Sequence, residues 1–202
     1  MRVSYAYTIG VITIYFCIHI YMNAYAQKVG NDFYTYQEGR PENRVYDILH
    51  ENLPDEHKLE WLINAVFAAS LIPLLWNFNT KFITEYLGLM LTVFILRDIT
   101  INLTILPKHE QCELTEGLST HINGSCYDKI FSAHFAAVFI LSLLYYSYKY
   151  ITNMPLLIMW NVLNAILIIL TRAHYTIDVV VSVLVCYLVY DKDLNLFKLL
   201  SK

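Results

Sequence analysis

The chain has 202 residues, 57% of them hydrophobic and only 15% charged, with a formal net charge of -3 at pH 7. A mean hydropathy of +0.44 is well above that of a soluble domain, so the chain reads as an all-α, multi-pass membrane protein. Its lysines and arginines are scattered and form no basic stripe, which argues against nucleic acid as a partner.

A hydrocarbon core of about 30 Å requires roughly 20 helical residues per crossing. Six segments have that apolar length, at about 5–25, 58–78, 83–106, 130–150, 154–173 and 175–191. They form one domain covering 1–202. At the first, Arg2, a long apolar run and the triplet Ala24-Tyr25-Ala26 are similar to a cleavable signal peptide. The run is longer than a usual signal core, so a retained first helix is expected.

Two long polar loops, Gln27 to His57 and Pro107 to Asp128, fall on one face if the helices alternate. The connections on the other face, "NFNTKF" and "KYITN", are short. Lys and Arg counts are similar on the two sides, so the positive-inside rule barely votes, but the three lysines of "DKDLNLFKLLSK" suit a cytoplasmic carboxyl end. Cys17 and Cys186 lie in apolar runs. Cys112 and Cys126 share a polar loop and read as a disulfide if that loop faces an oxidising compartment. The sequons at Asn102 and Asn123 lie on the same face, too close to spans for glycosylation to be expected.

Ionisable residues inside spans are costly and mark sites by default. Here they gather at the long-loop ends of four spans: Arg97 and Asp98 in the third, His134 in the fourth, Arg172 in the fifth, His174 and Asp178 in the sixth. His174 and Asp178, four apart, share a helix face, so a carboxylate there would orient the imidazole. Arg97 and Arg172 offer planar donor forks that match a phosphoryl group. Taken singly, these residues also fit a structural ion pair, two metal ligands with His134 as a third, or snorkelling anchors. Convergence on one face favours metal-free phosphoryl transfer through a histidine, with no cofactor. His19, mid-span, is expected to face other helices; His50, His57, His109 and His121 are expected to be solvated loop residues.

Several local motifs, taken together, resemble the sphingomyelin synthase family, a branch of the type 2 phosphatidic acid phosphatase superfamily. The family's last motif, an Arg followed by H-Y-[ST]-x-D, is matched by Arg172, His174, Tyr175, Thr176 and Asp178. Its C-G-D-x-x-x-S-G-H-T motif is matched by Cys126, Asp128, Ser132 and His134 and departs at Tyr127, Ala133 and Phe135. Ala133 in place of glycine adds a side chain where the backbone approaches phosphate. R-x-x-T-x-x-x-T-x-L-P is present as Arg97, Thr100, Thr104, Leu106 and Pro107, and P-L-P-D survives as Leu53, Pro54 and Asp55 in "RVYDILHENLPDE". The resemblance implies a six-helix enzyme of the secretory pathway, at the Golgi or plasma membrane, with an exoplasmic active site. It would move phosphocholine from phosphatidylcholine to ceramide. By carry-over His174 is the nucleophile, Asp178 its orienter and His134 the acid and base, with Arg97, Arg172 and Ser132 on the substrate.

Overall fold

The computed structural model describes residues 5–36, 45–108, 112, 126–127 and 129–200, and among them every regular element is a helix. In chain order these are α1 (Tyr5–Tyr36), α2 (Ile48–Asn52), a 3-10 turn (His57–Leu59), α3 (Trp61–Ser70), α4 (Ile72–Trp76), α5 (Thr80–Leu103), α6 (Ala133–Ser147), α7 (Met154–Leu170), α8 (Thr176–Asp191) and α9 (Leu196–Leu199). His109, His121, Asp128 and the Asn123 sequon lie outside the described residues.

Among the described residues, three stretches are long and apolar enough to cross a membrane: Ala6–Tyr34, His57–Trp76 and Thr80–Leu103. The first runs well past the predicted end near residue 25, because no proline interrupts the chain there. Gly30 lets the far end of α1 lie against the loop after α5: a Cβ at that position would fall 2.5 Å from Tyr127 and 2.9 Å from Ile105. The Tyr34 and Tyr127 rings stack there at 5.8 Å, and the Tyr34 hydroxyl donates to the Ile105 carbonyl at 2.8 Å. The second stretch is broken at Leu71, where Pro73 supplies no N–H to the next turn and α4 starts afresh.

α6, α7 and α8 have 15, 17 and 16 residues. At 1.5 Å per residue they rise roughly 22 to 26 Å, short of the hydrocarbon thickness. All three are cut back where the non-helical segments 129–132 and 171–175 meet.

The membrane has turned the polarity of α7 inside out. It buries Asn161 and Asn164 and exposes Ile158, Met159, Val162, Leu163 and Ile166, the reverse of a soluble amphipathic helix. Asn161 Nδ2 donates to Ser142 Oγ on α6 at 2.9 Å, the type of bond that joins helices in lipid. The protein is therefore an all-α polytopic membrane protein.

α6 is the hub, packed by α3, α5, α7 and α8, while α1 leans on α5. Phe82, Leu89 and Val93 of α5 interlock with Ile140, Leu141 and Leu144 of α6 and with Cys186 and Val189 of α8. The carboxyl-terminal α9 is docked on this bundle. Phe197 is buried, Asn195 Nδ2 donates to the Glu85 carbonyl at 3.2 Å, and the Asn195 side chain lies against Gly88, where any Cβ would collide.

Candidate active site

Non-helical backbone at membrane depth is tolerated only where its polar groups find partners inside the protein. In segment 129–132, the Lys129 carbonyl accepts from His174 Nδ1 at 2.7 Å, the Phe131 carbonyl from Arg97 Nε at 3.0 Å and the Ser132 carbonyl from Ser182 Oγ at 3.3 Å. At the end of α7 the Leu170 carbonyl accepts from the Glu56 N–H at 2.9 Å, and in segment 171–175 the Thr171 carbonyl accepts from His57 Nδ1 at 3.2 Å. The Ala173 carbonyl accepts from Lys129 Nζ at 2.8 Å and the His174 carbonyl from His50 Nε2 at 3.1 Å. The groups that would act on a substrate are thus also the groups that satisfy the broken backbone.

These segments wall a cavity of about 570 Å³ lined by His174, His134, Arg97, Lys129 and Ser132, with Glu60, Asn64 and Phe67 from the α3 side and His19 and Phe94 from the α1–α5 side. A carbonyl can only accept, so the proton of neutral His174 sits on Nδ1 and its lone pair on Nε2. Asp178 stands behind that ring. Its Oδ2 is 3.6 Å from His174 Nδ1 and accepts the Tyr175 N–H at 2.9 Å, so the bond that fixes the tautomer goes to Lys129 and the carboxylate supplies charge one step further back. Asp178 is 1% exposed, which keeps that charge unscreened by water.

His134 enters from the first turn of α6 and its Nε2 donates to Asn64 Oδ1 at 2.9 Å. Ser132 is the N-cap of this helix; its Oγ accepts the Phe135 N–H at 3.3 Å and the residue is fully buried. No acidic residue lies in the first turn of α6, so its positive end faces the cavity without a counter-charge of its own.

Arg172 is placed differently from the other expected residues and does not line the cavity. It follows the last turn of α7 in a left-handed conformation, φ 57°, at the position where glycine is usual. Its Nη2 donates to the carbonyls of His50 and Leu53 at 2.8 and 2.7 Å, closing the carboxyl end of α2, and its Nη1 is buried with no hydrogen-bond partner among the described residues. Arg172 therefore holds a strap across the turn that carries His174.

The rest of that strap could not be anticipated from spacing. His50 and His57, expected to be solvated, instead bond the carbonyls of His174 and Thr171, because those carbonyls have left the helix and need donors. Asp47 joins two helix starts. Its Oδ1 accepts the N–H groups of Leu49 and His50 and caps α2, while Oδ2 takes the Thr176 N–H and Oδ1 the Thr176 hydroxyl, both at 2.6 Å, at the start of α8. Burial pushes its carboxyl upward, but bonds from the Thr176 hydroxyl and from the His50 and Thr176 N–H groups outweigh it, so the group sits below the usual carboxylate range.

On the opposite wall, His19 faces α5 as expected of it, and its partner is Asp98. Nδ1 lies 2.9 Å from Asp98 Oδ1, and the Tyr15 hydroxyl donates to Asp98 Oδ2 at 3.0 Å. Nothing local to α1 signals this pair, since the carboxylate is 79 residues away. Lys129 was also missed, being an unremarked loop residue of "CYDKIF" until the fold buries it. Outside the cavity, Cys112 and Cys126 form a disulfide with Cα atoms 5.9 Å apart.

His19, His134 and His174, the cations of Arg97 and Lys129 and the first turn of α6 surround one cavity, with the buried carboxylate of Asp178 behind the His174 ring. Residues 125–193 match a family model described as PAP2 superfamily C-terminal, which supports a place in the type 2 phosphatidic acid phosphatase superfamily and a lipid phosphatase or phosphotransferase type of activity. The matched stretch carries Ser132, His134, Arg172, His174 and Asp178 and leaves out Arg97, Asp47, His50 and His57. No curated protein and no solved structure matches the chain.

Proposed function

We propose that the protein is a sphingomyelin synthase-like transferase that moves phosphocholine from phosphatidylcholine to ceramide through a phosphohistidine on His174. The observation that carries this reading is the position of His174: its Nδ1 proton is committed to the Lys129 carbonyl, and its ring lines the same cavity as His134 and Arg97. Nε2 attacks phosphorus while the P–O bond to diacylglycerol breaks, and a protonated His134 gives its proton to the departing oxygen. Arg97 and the first turn of α6 offset charge on the phosphoryl oxygens. Ceramide then enters. His134 takes the proton of its primary hydroxyl, that oxygen attacks phosphorus, and the bond to His174 breaks to release sphingomyelin.

The motif Arg97 to Pro107 favours a lipid acceptor over water, and the Cys112–Cys126 disulfide supports an exoplasmic setting for the loops around the cavity. In this reading six helices cross a secretory-pathway membrane and the carboxyl end is cytoplasmic. Labelled phosphatidylcholine, supplied with and without ceramide and resolved by thin-layer chromatography, tests the reaction. Sphingomyelin formed only with ceramide is the expected result. Free phosphocholine or phosphate released at the same rate with and without ceramide would mark a hydrolase instead.

A further inference from the structure

Sequence spacing assigns the second phosphoryl-binding cation to Arg172, but that guanidinium is engaged by the carbonyls of His50 and Leu53 and does not line the cavity. Lys129 does line it. This lysine is 7% exposed, and a buried ammonium is costly unless it is paired or serves a site. Its two halves interlock with the nucleophile's turn. The side chain reaches the Ala173 carbonyl at 2.8 Å while the main-chain carbonyl holds His174 Nδ1 at 2.7 Å. The ammonium is therefore held at the carbonyl of the residue before His174 by the same segment that sets the imidazole's tautomer.

We propose that Lys129 is a catalytic residue, the cation that with Arg97 holds the phosphoryl oxygens at His174, and that Arg172 is a positioning residue acting through the strap. The proposal rests on the phosphoryl-transfer reading of the cavity. Lys129 gains and loses no proton in either half-reaction. Its charge offsets the oxygens as the bond from His174 Nε2 to phosphorus forms, and again as that bond breaks. An ammonium is a point charge without the planar fork of a guanidinium, so it tolerates the changing oxygen geometry along the path.

Every substitution at position 129 keeps the main-chain carbonyl that orients His174, and Lys129→Arg keeps both a charge and a donor for the Ala173 carbonyl. The probe is orthovanadate, a mimic of the phosphoryl transition state, titrated calorimetrically into detergent-solubilised protein, with initial rates measured in parallel. Lys129→Met is expected to weaken vanadate binding about tenfold or more, the loss of one charge-assisted hydrogen bond, and Lys129→Arg to restore most of it. Arg172→Lys is expected to keep vanadate affinity within about twofold while kcat falls, the mark of a nucleophile misplaced and not of an anion site lost. Wild-type affinity in Lys129→Met, or a loss in Lys129→Arg as large as in Lys129→Met, overturns the assignment of Lys129. A loss of vanadate binding confined to Arg172→Lys overturns both assignments. Wild-type protein that binds no vanadate overturns the phosphoryl reading together with this proposal.

Discussion

Two helices begin at the cavity, and their first turns are treated in opposite ways. α6 starts with Ser132, Ala133 and His134 on the cavity wall, no acidic residue in its first turn, and only the Ser132 hydroxyl reaching back to the Phe135 N–H. α8 starts with both of its leading donors taken by carboxylates: Tyr175 N–H by Asp178 and Thr176 N–H by Asp47. A helix start carries about half a positive charge. At α6 no acidic residue of the first turn offsets that charge, which on the proposed reading serves the phosphoryl group, whereas at α8 carboxylates offset it and the start serves as a mounting for His174. One end supplies electrostatics and the other supplies position, so damage to each should look different.

The largest effect is expected where both meet. His174→Ala should remove the phosphohistidine and lower transfer by about 10³-fold or more, measured with labelled ceramide in membranes expressing each form. Retained activity would break the scheme at its centre. Asp47→Ala tests the mounting by itself. It frees the starts of α2 and α8 at once, so kcat should fall roughly 100-fold, as for a misplaced reacting group, with KM nearly unchanged. A rise in KM at constant kcat would assign Asp47 to binding.

The same carboxylate gives a pH signature. Because its folded pKa is depressed, Asp47 contributes stability above its unfolded value of about 3.9 and loses it as pH falls through that value toward the lower folded one. Thermal unfolding of solubilised protein should show wild type above Asp47→Asn by a constant margin near pH 6 and by a shrinking margin below about pH 4. A margin that widens in acid would mean the carboxylate is not stabilised by its N–H and hydroxyl donors.

The smallest effect probes the open end. Ala133→Gly removes a methyl group from the first turn of α6, where the proposed reading puts the phosphoryl group, so vanadate should bind a few-fold more tightly. The accompanying loss of stability should be no more than about 1 kcal/mol. Weaker binding would place the anion elsewhere in the cavity.

Much of the architecture was legible from order and polarity. Each of the six apolar segments holds helix, and two of the shifted boundaries have a local cause: Pro73 behind the break at Leu71 and the uninterrupted run that carries α1 to Tyr36. Arg97, His134 and His174 were recognisable as a group, because ionisable residues near the ends of apolar spans have few other reasons to be there, and Ser132 came only with the motif resemblance. The strap was not legible. His50, Asp47 and Arg172 have ordinary loop neighbours in the sequence, and their partners are backbone carbonyls and N–H groups more than 100 residues away, or 119 and 122 in the case of Arg172.

What the sequence determined is what apolar periodicity and residue chemistry encode locally: a helical membrane bundle, and imidazoles, guanidiniums and a carboxylate near one end of it. What only the tertiary structure decided is which backbone groups go unpaired when α6, α7 and α8 stop short, and which side chains answer them. Those orphaned carbonyls draw Arg172 away from the cavity and Lys129 into it. The physical reason is that an unpaired carbonyl at membrane depth is too costly to leave, and the nearest donor in space is set by the fold, not by position along the chain.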